Sequence, residues 1–288
     1  MLRLAFMTYL LLHTLFSSLF IIWVRWVQQR GDNVLVIGAV NYIAAAAIAI
    51  ATCAITPQPT ITFKAIASGT ANGFCYFVAY FFLIAAIAWQ GVANIAVVAR
   101  LSILLPIVVG ICVFGERPGT AHLAGILLAC AALIVLGKSS SPLQHAKRPA
   151  AGYLIVAAFF LIAGSSRVIQ AMFKYLCQPA EQTVFLVCAF MAAGISAVGL
   201  LLWRREIPTG KEWLLGAGLG FTNLLQTLFI LKSLESLPGY VVFPVTSAGS
   251  LLLTTLAAVW FLKERLRFHS YAALAIAIAA LALLRPAA

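Results

Sequence analysis

Two arginines stand inside apolar runs of this sequence: Arg100 in NIAVVARLSILLP and Arg167 in LIAGSSRVIQAMF. Half-way along a membrane helix, an arginine costs about 2.5–3.5 kcal/mol on an insertion scale unless it is wetted or paired. The seven acidic residues offer no partner at that depth. Asp32, Glu116, Glu181, Glu206, Glu212, Glu235 and Glu264 all fall at the ends of apolar runs or between them. The missing anion is then a solute, a carboxylate, phosphate or sulfate held by the planar guanidinium fork. Two other readings stay open for either residue: bonds to backbone carbonyls near Pro106, or snorkelling to an interface from a tilted helix. Lys174 shares a helical face with Arg167 and Gln170, but it lies near the end of its run and reads as an interface anchor.

Uncharged polar groups recur at helical spacing and mark further inward faces, because in lipid they need protein or water as partners. Asn72, Tyr76 and Tyr80 repeat every four residues, and Asn223, Gln226 and Thr227 lie within one turn. Asn41, Asn94, Thr246, Ser247 and Ser250 interrupt other apolar runs. Each could touch a substrate or simply bond a neighbouring helix, a contact worth only about 0.6 kcal/mol on average. His13 shares a face with Ser17, and as a group that titrates near neutral pH it could couple movement of a solute to protons or serve as a packing residue. Six cysteines lie in or near apolar runs without a C-x-x-C pair, which reads as small apolar packing; neither metal nor cofactor is expected.

The elements that must position these residues are membrane helices. Of 288 residues 64% are hydrophobic and 9% charged, with mean hydropathy +1.06, where a soluble domain carries roughly 25% charged residues. At about 20 residues per span, ten fit: 4–24, 34–54, 65–88, 92–114, 120–137, 152–174, 182–203, 213–233, 239–262 and 269–285. The first is too long for a signal peptide and lacks a small-residue cleavage site. Residues 138–150 (KSSSPLQHAKRPA) form the one polar, proline-containing stretch that reads as a linker.

An offset of 148 residues carries Ser17-Ser18 onto Ser165-Ser166, Lys64 onto Glu212, Gly91 onto Gly239 and Glu116 onto Glu264. The fold expected is therefore all-α, an integral membrane protein of ten transmembrane helices in two five-helix repeats, 1–138 and 151–288, joined by 139–150. An odd number of spans per repeat inverts the second copy, a plan common in secondary transporters.

The stretch LLPIVVGICVFGERPGTAHLAGILLACAALIVLG (104–137) and its copy SLLLTTLAAVWFLKERLRFHSYAALAIAIAALALL (250–284) resemble the end of an EamA-type half in the drug/metabolite transporter superfamily. The resemblance spans essentially the whole chain. It implies a metabolite exporter or importer with a central cavity, working by alternating access. The chain departs from the pattern in the second half, where Thr254 stands opposite Pro106, and in lacking a Trp-Gly pair in its first span. The small multidrug-resistance members of the superfamily exchange protons for hydrophobic cations at an embedded glutamate, and none is present here.

These readings converge on a secondary transporter in a cell (inner) membrane. It would export a small anionic or zwitterionic metabolite such as an amino acid, as a monomer or homodimer. Arg100 and Arg167 would hold the acidic group, and Tyr76, Tyr80, Asn72, Asn223, Gln226 and Gln170 would shape the cavity. Export of cationic drugs is the alternative; a channel, scaffold or lipid-modifying enzyme is more remote. No G-x-x-x-x-G-K-[ST] loop is present, so ATP hydrolysis is not expected, and the net charge of +12 is read as helix anchoring, with lipid and not nucleic acid as partner. On ten spans, eleven basic residues fall on one face and six on the face with both termini. Positive-inside counting puts the termini outside, the resemblance puts them in the cytoplasm, and orientation stays open between the two.

Overall fold

The structure, a computed structural model, describes residues 2–56, 59–90, 92–138, 150–260 and 268–284. Residues 139–149 of the expected linker and the markers Gly91 and Glu264 lie outside the described residues. Those described are helical: α1 (Leu2–Gln29), α2 (Val34–Ile55), α3 (Phe63–Gln90), α4 (Val92–Leu101), α5 (Leu104–Cys112), α6 (Thr120–Lys138), α7 (Ala150–Leu176), α8 (Gln182–Arg204), α9 (Gly210–Leu234), α10 (Gly239–Trp260) and α11 (Phe268–Leu283), with one 3-10 turn at Pro179–Glu181. Seven helices among the described residues are long and apolar enough to cross a membrane, and three shorter apolar stretches occupy Val97–Cys112, Thr120–Leu136 and Phe268–Leu283. Large apolar side chains lie open on the surface, Leu127 at 70%, Leu154 at 71%, Ile195 at 67% and Leu214 at 75%. Outside lipid such a surface would drive aggregation. The chain is a multi-pass helical membrane protein.

Local chemistry sets the helix ends. Asn33 caps α2 by accepting the Val36 N–H, and Thr209 with Glu212 forms a reciprocal capping box on α9, each satisfying donors that the first turn leaves without helical partners. The expected fourth span, 92–114, is broken into α4 and α5 at Ser102-Ile103. Pro106 explains the position, because its ring clashes with the carbonyl four residues earlier, that of Ser102, and it has no N–H to give. The backbone crosses the break with three-residue bonds, Ile103 N to Arg100 O at 3.3 Å and Leu105 N to Ser102 O at 3.2 Å. Pro244, by contrast, is carried inside α10.

The chain divides into two compact units, Met1–Tyr80 with Ile169–Glu235, and Phe81–Val168 with Ser236–Ala288. In the first, α2 packs against α8 and α9, and α1 against α9. Its core gathers Val36, Val40, Phe185, Phe190, Ala193 and Leu231. Two Gly-x-x-x-Gly pairs, Gly69 with Gly73 and Gly216 with Gly220, lie here at close helix crossings. A Cβ on Gly73 would overlap the Ala189 carbonyl, and one on Gly69 would come within 2.6 Å of the Phe185 carbonyl oxygen. Likewise, Gly220 meets the Asn41 carbonyl at 2.6 Å and Gly216 the Ile37 carbonyl at 2.9 Å. The partners correspond: the 148-residue offset carries Ile37 onto Phe185 and Asn41 onto Ala189. It also carries the first residue of α2, Val34, onto that of α8, Gln182.

In the second unit α6 lies along α11, and α10 packs against α5, α6 and α11. Ala132, Leu133, Ala248, Leu251 and Ala277 fill its core. After α5 the chain turns through Gly115 at φ +69°, and Glu116 then reaches to α10. Its carboxylate accepts the Gly239 N–H at 2.8 Å and the Tyr240 N–H at 3.2 Å. Placed by the sequence outside the apolar runs, Glu116 thus caps a distant helix, at the end where the helix dipole favours an anion.

Candidate functional site

Arg100 lies in the last turn of α4 because the helix stops one residue later. A cation is favoured at that end, where carbonyls without helical partners collect. The side chain is 9% exposed, and its guanidinium is laid along one face of α10. Nη1 donates to the Ser247 carbonyl at 3.1 Å, and Nη2 to the Thr254 hydroxyl at 3.0 Å and, more weakly, to the Ser250 carbonyl at 3.5 Å. Backbone carbonyls do therefore hold Arg100, but those of α10 and not those near Pro106. Among the described residues these three bonds use only part of its five N–H donors. Arg167, half-buried in α7 of the same unit, is near enough for its charge to act on Arg100.

The first unit holds the uncharged candidates, and most of them form one bonded network. Gln170 Nε2 donates to the Tyr76 hydroxyl at 2.5 Å, Tyr76 meets the Thr227 hydroxyl at 3.0 Å, and Thr227 donates to the Asn223 carbonyl at 2.8 Å. Since the Thr227 proton goes to that carbonyl, Tyr76 is the donor to Thr227. A second chain runs from Gln226 Nε2 to Asn223 Oδ1 at 2.8 Å, then from Asn223 Nδ2 to Asn41 Oδ1 at 3.2 Å. His13 Nδ1 lies 2.7 Å from the Gln226 carbonyl. The network joins α1, α2, α3, α7 and α9.

Tyr80 stands one turn beyond Tyr76, with its hydroxyl on the Val34 carbonyl and its ring edge-on to Tyr42. Asn72 is fully buried one turn before Tyr76. Sequence reading passed over Tyr42, whose hydroxyl donates to the Tyr76 carbonyl at 3.1 Å, and Gln182, which donates to the Leu228 carbonyl at 3.3 Å. A tyrosine beside Asn41 in an alanine-rich span was the available signal for the first. For the second, a residue at the start of a helix carries none. The Asn94 side chain lies outside the described residues.

The described carboxylates serve helix ends. Asp32 pairs with Lys211 and, at 3.7 Å, with Arg30. Glu206 accepts from Asn33 at 3.2 Å, Glu181 from the Gln178 N–H at 2.7 Å, and Glu235 pairs with Lys232 at 3.1 Å. Among the described residues, no three His, Cys, Asp or Glu side chains group as metal ligands would.

No family model and no curated protein matches the sequence. Solved structures do match in fold. One, described only as a crystal structure of a protein, superposes with TM-score 0.73 over 94% of this chain and 95% of its own at 21% identity. That likeness concerns the fold and carries no activity with it.

Proposed function

We propose that this chain is an EamA-like secondary transporter of the drug/metabolite transporter superfamily, resident in a cell inner membrane. It moves a small anionic or zwitterionic metabolite, such as an amino acid, by alternating access and without enzymatic turnover. The observation that carries the reading is the guanidinium pair: Arg100, fixed on α10 at a helix break, with the Arg167 charge acting on it. Broken membrane helices are where transporters commonly bind their substrates, and paired guanidinium groups in a low dielectric favour an anion strongly.

The ten-span, two-repeat plan draws support from the helix pattern. Seven long and three short apolar stretches make ten, and the glycine crossings on α3 and α9 fall on partners related by the same offset as the sequence. Five spans per repeat would invert the second copy.

Reconstituted protein tests the reading in a counterflow screen of amino acids, organic acids and lipophilic cations. Saturable counterflow of a carboxylate is expected, lost in stably folded Arg100→Ala and Arg167→Ala. Counterflow of cations alone, untouched by both substitutions, would sink the anion mechanism and leave a drug exporter with structural arginines.

A further inference from the structure

The surface of the first compact unit carries a groove of about 360 Å³ between α2 and α8, walled by Ala46, Ala47 and Ile50 on one side and Gly194, Ile195 and Val198 on the other. Small residues make its floor, where Ala46 and Gly194 are buried, and exposed Ile50 and Ile195 stand at its rims. None of these side chains is polar, so water finds no partner there. Close-packed matter leaves few voids of that size unfilled, and in a bilayer the material at hand is an acyl chain.

The groove leads towards one end of the unit. Ile195, Val198, Leu202 and Arg205 recur at three- and four-residue spacing and so share a face of α8. Val198 and Leu202 are exposed, and Gly199 has open space around it. In the other direction the same face closes, with Cys188 half-buried and Val184 buried. Ile195 stands ten residues before Arg205. That is a rise of about 15 Å, half of a hydrocarbon core about 30 Å thick. A lipid with its headgroup at Arg205 would lay one tail along Leu202 and into the groove, reaching the bilayer midplane.

The charges at that end suit an anionic headgroup. The α1–α2 and α8–α9 turns meet there, Asn33 donating to Glu206 at 3.2 Å and Lys211 pairing with Asp32. Across 25–33 and 204–212 stand Arg25, Arg30, Arg204, Arg205 and Lys211 against Asp32, Glu206 and Glu212, an excess of basic residues. The acids are engaged: Asp32 by Lys211 and Arg30, Glu206 by Asn33, and Glu212 by Thr209. Arg204 and Arg205 are exposed, and among the described residues neither pairs with a carboxylate. Exposed Trp26, Trp203 and Trp213 belong to the same end, with the Arg30 guanidinium 4.6 Å over the Trp26 ring. Tryptophan beside basic residues is the composition of a membrane interface, and clustered basic residues draw anionic lipid.

We propose that this face binds one anionic phospholipid, its phosphate on Arg204 and Arg205 and one acyl chain in the α2–α8 groove. A second copy of the chain suits the groove less well. Two-fold pairing would set a concave face against its like and bring two arginine-bearing ends together. The site needs only the membrane fold, whatever solute the chain carries.

Native mass spectra of the full chain, released from detergent after titration with phosphatidylglycerol or phosphatidylcholine, test the site. Wild-type protein is expected to retain one phosphatidylglycerol, preferred over phosphatidylcholine roughly tenfold or more, in line with two basic residues at a membrane surface. Arg204→Gln combined with Arg205→Asn is expected to abolish that preference; asparagine tolerates the left-handed φ of +54° at position 205. Ala47→Phe fills the groove from an exposed position and is expected to lower phosphatidylglycerol retention by a similar factor, with both arginines in place. Glycerol phosphate is expected not to displace the lipid; displacement at equal concentration would assign the arginines to a free phosphate and overturn the lipid site. Equal retention of both lipids by the wild type, a preference that survives the double substitution, or retention indifferent to Ala47→Phe would each overturn it as well. A dimer that Ala47→Phe dissociates, with lipid retention unchanged, gives the groove to a second copy and overturns it too.

Discussion

A guanidinium held against backbone carbonyls is a different object from one dissolved in lipid, and Arg100 shows how the difference is made. Its cost is offset by the end of α4, by two carbonyls of α10 and by the Thr254 hydroxyl. Lysine would keep the charge but present one compact ammonium where a planar fork now spans three acceptors. Arg100→Lys is therefore expected to fold and insert normally while weakening the half-saturation of counterflow roughly tenfold or more, about 1.4 kcal/mol of lost contact; an unchanged value would show that the fork geometry is not used. Sequence made the embedded arginine visible, since a charge in an apolar run stands out. Its partners were not visible, because a main-chain carbonyl has no letter of its own. Thr254 stands out in the sequence only as a departure from the expected proline, and its hydroxyl is the side-chain group that accepts from Arg100.

At the scale of elements, hydropathy located every described helix to within a few residues, and it failed where covalent geometry intervenes. High hydropathy continues on both sides of Ser102-Ile103, and the residue that accounts for the break, Pro106, stands four residues beyond Ser102. Helix crossings follow a similar logic of missing atoms. Gly73→Ala is expected to force α3 away from α8, lowering stability by about 1–3 kcal/mol and the melting temperature in detergent by about 2–12 °C. Gly199, on α8 with open space around it, serves as the comparison. There alanine is expected to hold the melting temperature or raise it slightly, since it costs the helix about 1 kcal/mol less than glycine. Equal losses at both positions would refute the close-crossing account.

For the whole molecule, the sequence repeat and the compact units describe different things. The two-repeat plan proposed above orders the chain as 1–138 and 151–288; each compact unit takes helices from both stretches. Order along a chain can be read from an offset, but packing depends on which faces meet, and similar apolar helices give hydropathy nothing to choose by. Because α1 and α2 pack on α8 and α9, and α5 and α6 on α10 and α11, the two stretches should need one another more than they need their linker. Expressed together as separate chains cut within 139–149, they are expected to co-purify and to restore counterflow; either stretch folding stably by itself would contradict this dependence.

The same interleaving sets a schedule for biosynthesis. When α2 leaves the ribosome, the helix that covers much of its inner face, α8, is still about 130 residues from being made. At 5–20 residues per second that interval lasts roughly 6–26 s. During it the Asn41 amide, whose side-chain partner Asn223 does not yet exist, sits in a bilayer that cannot satisfy it. The insertion machinery, or water retained beside the first helices, must shelter that polar group until the second stretch arrives.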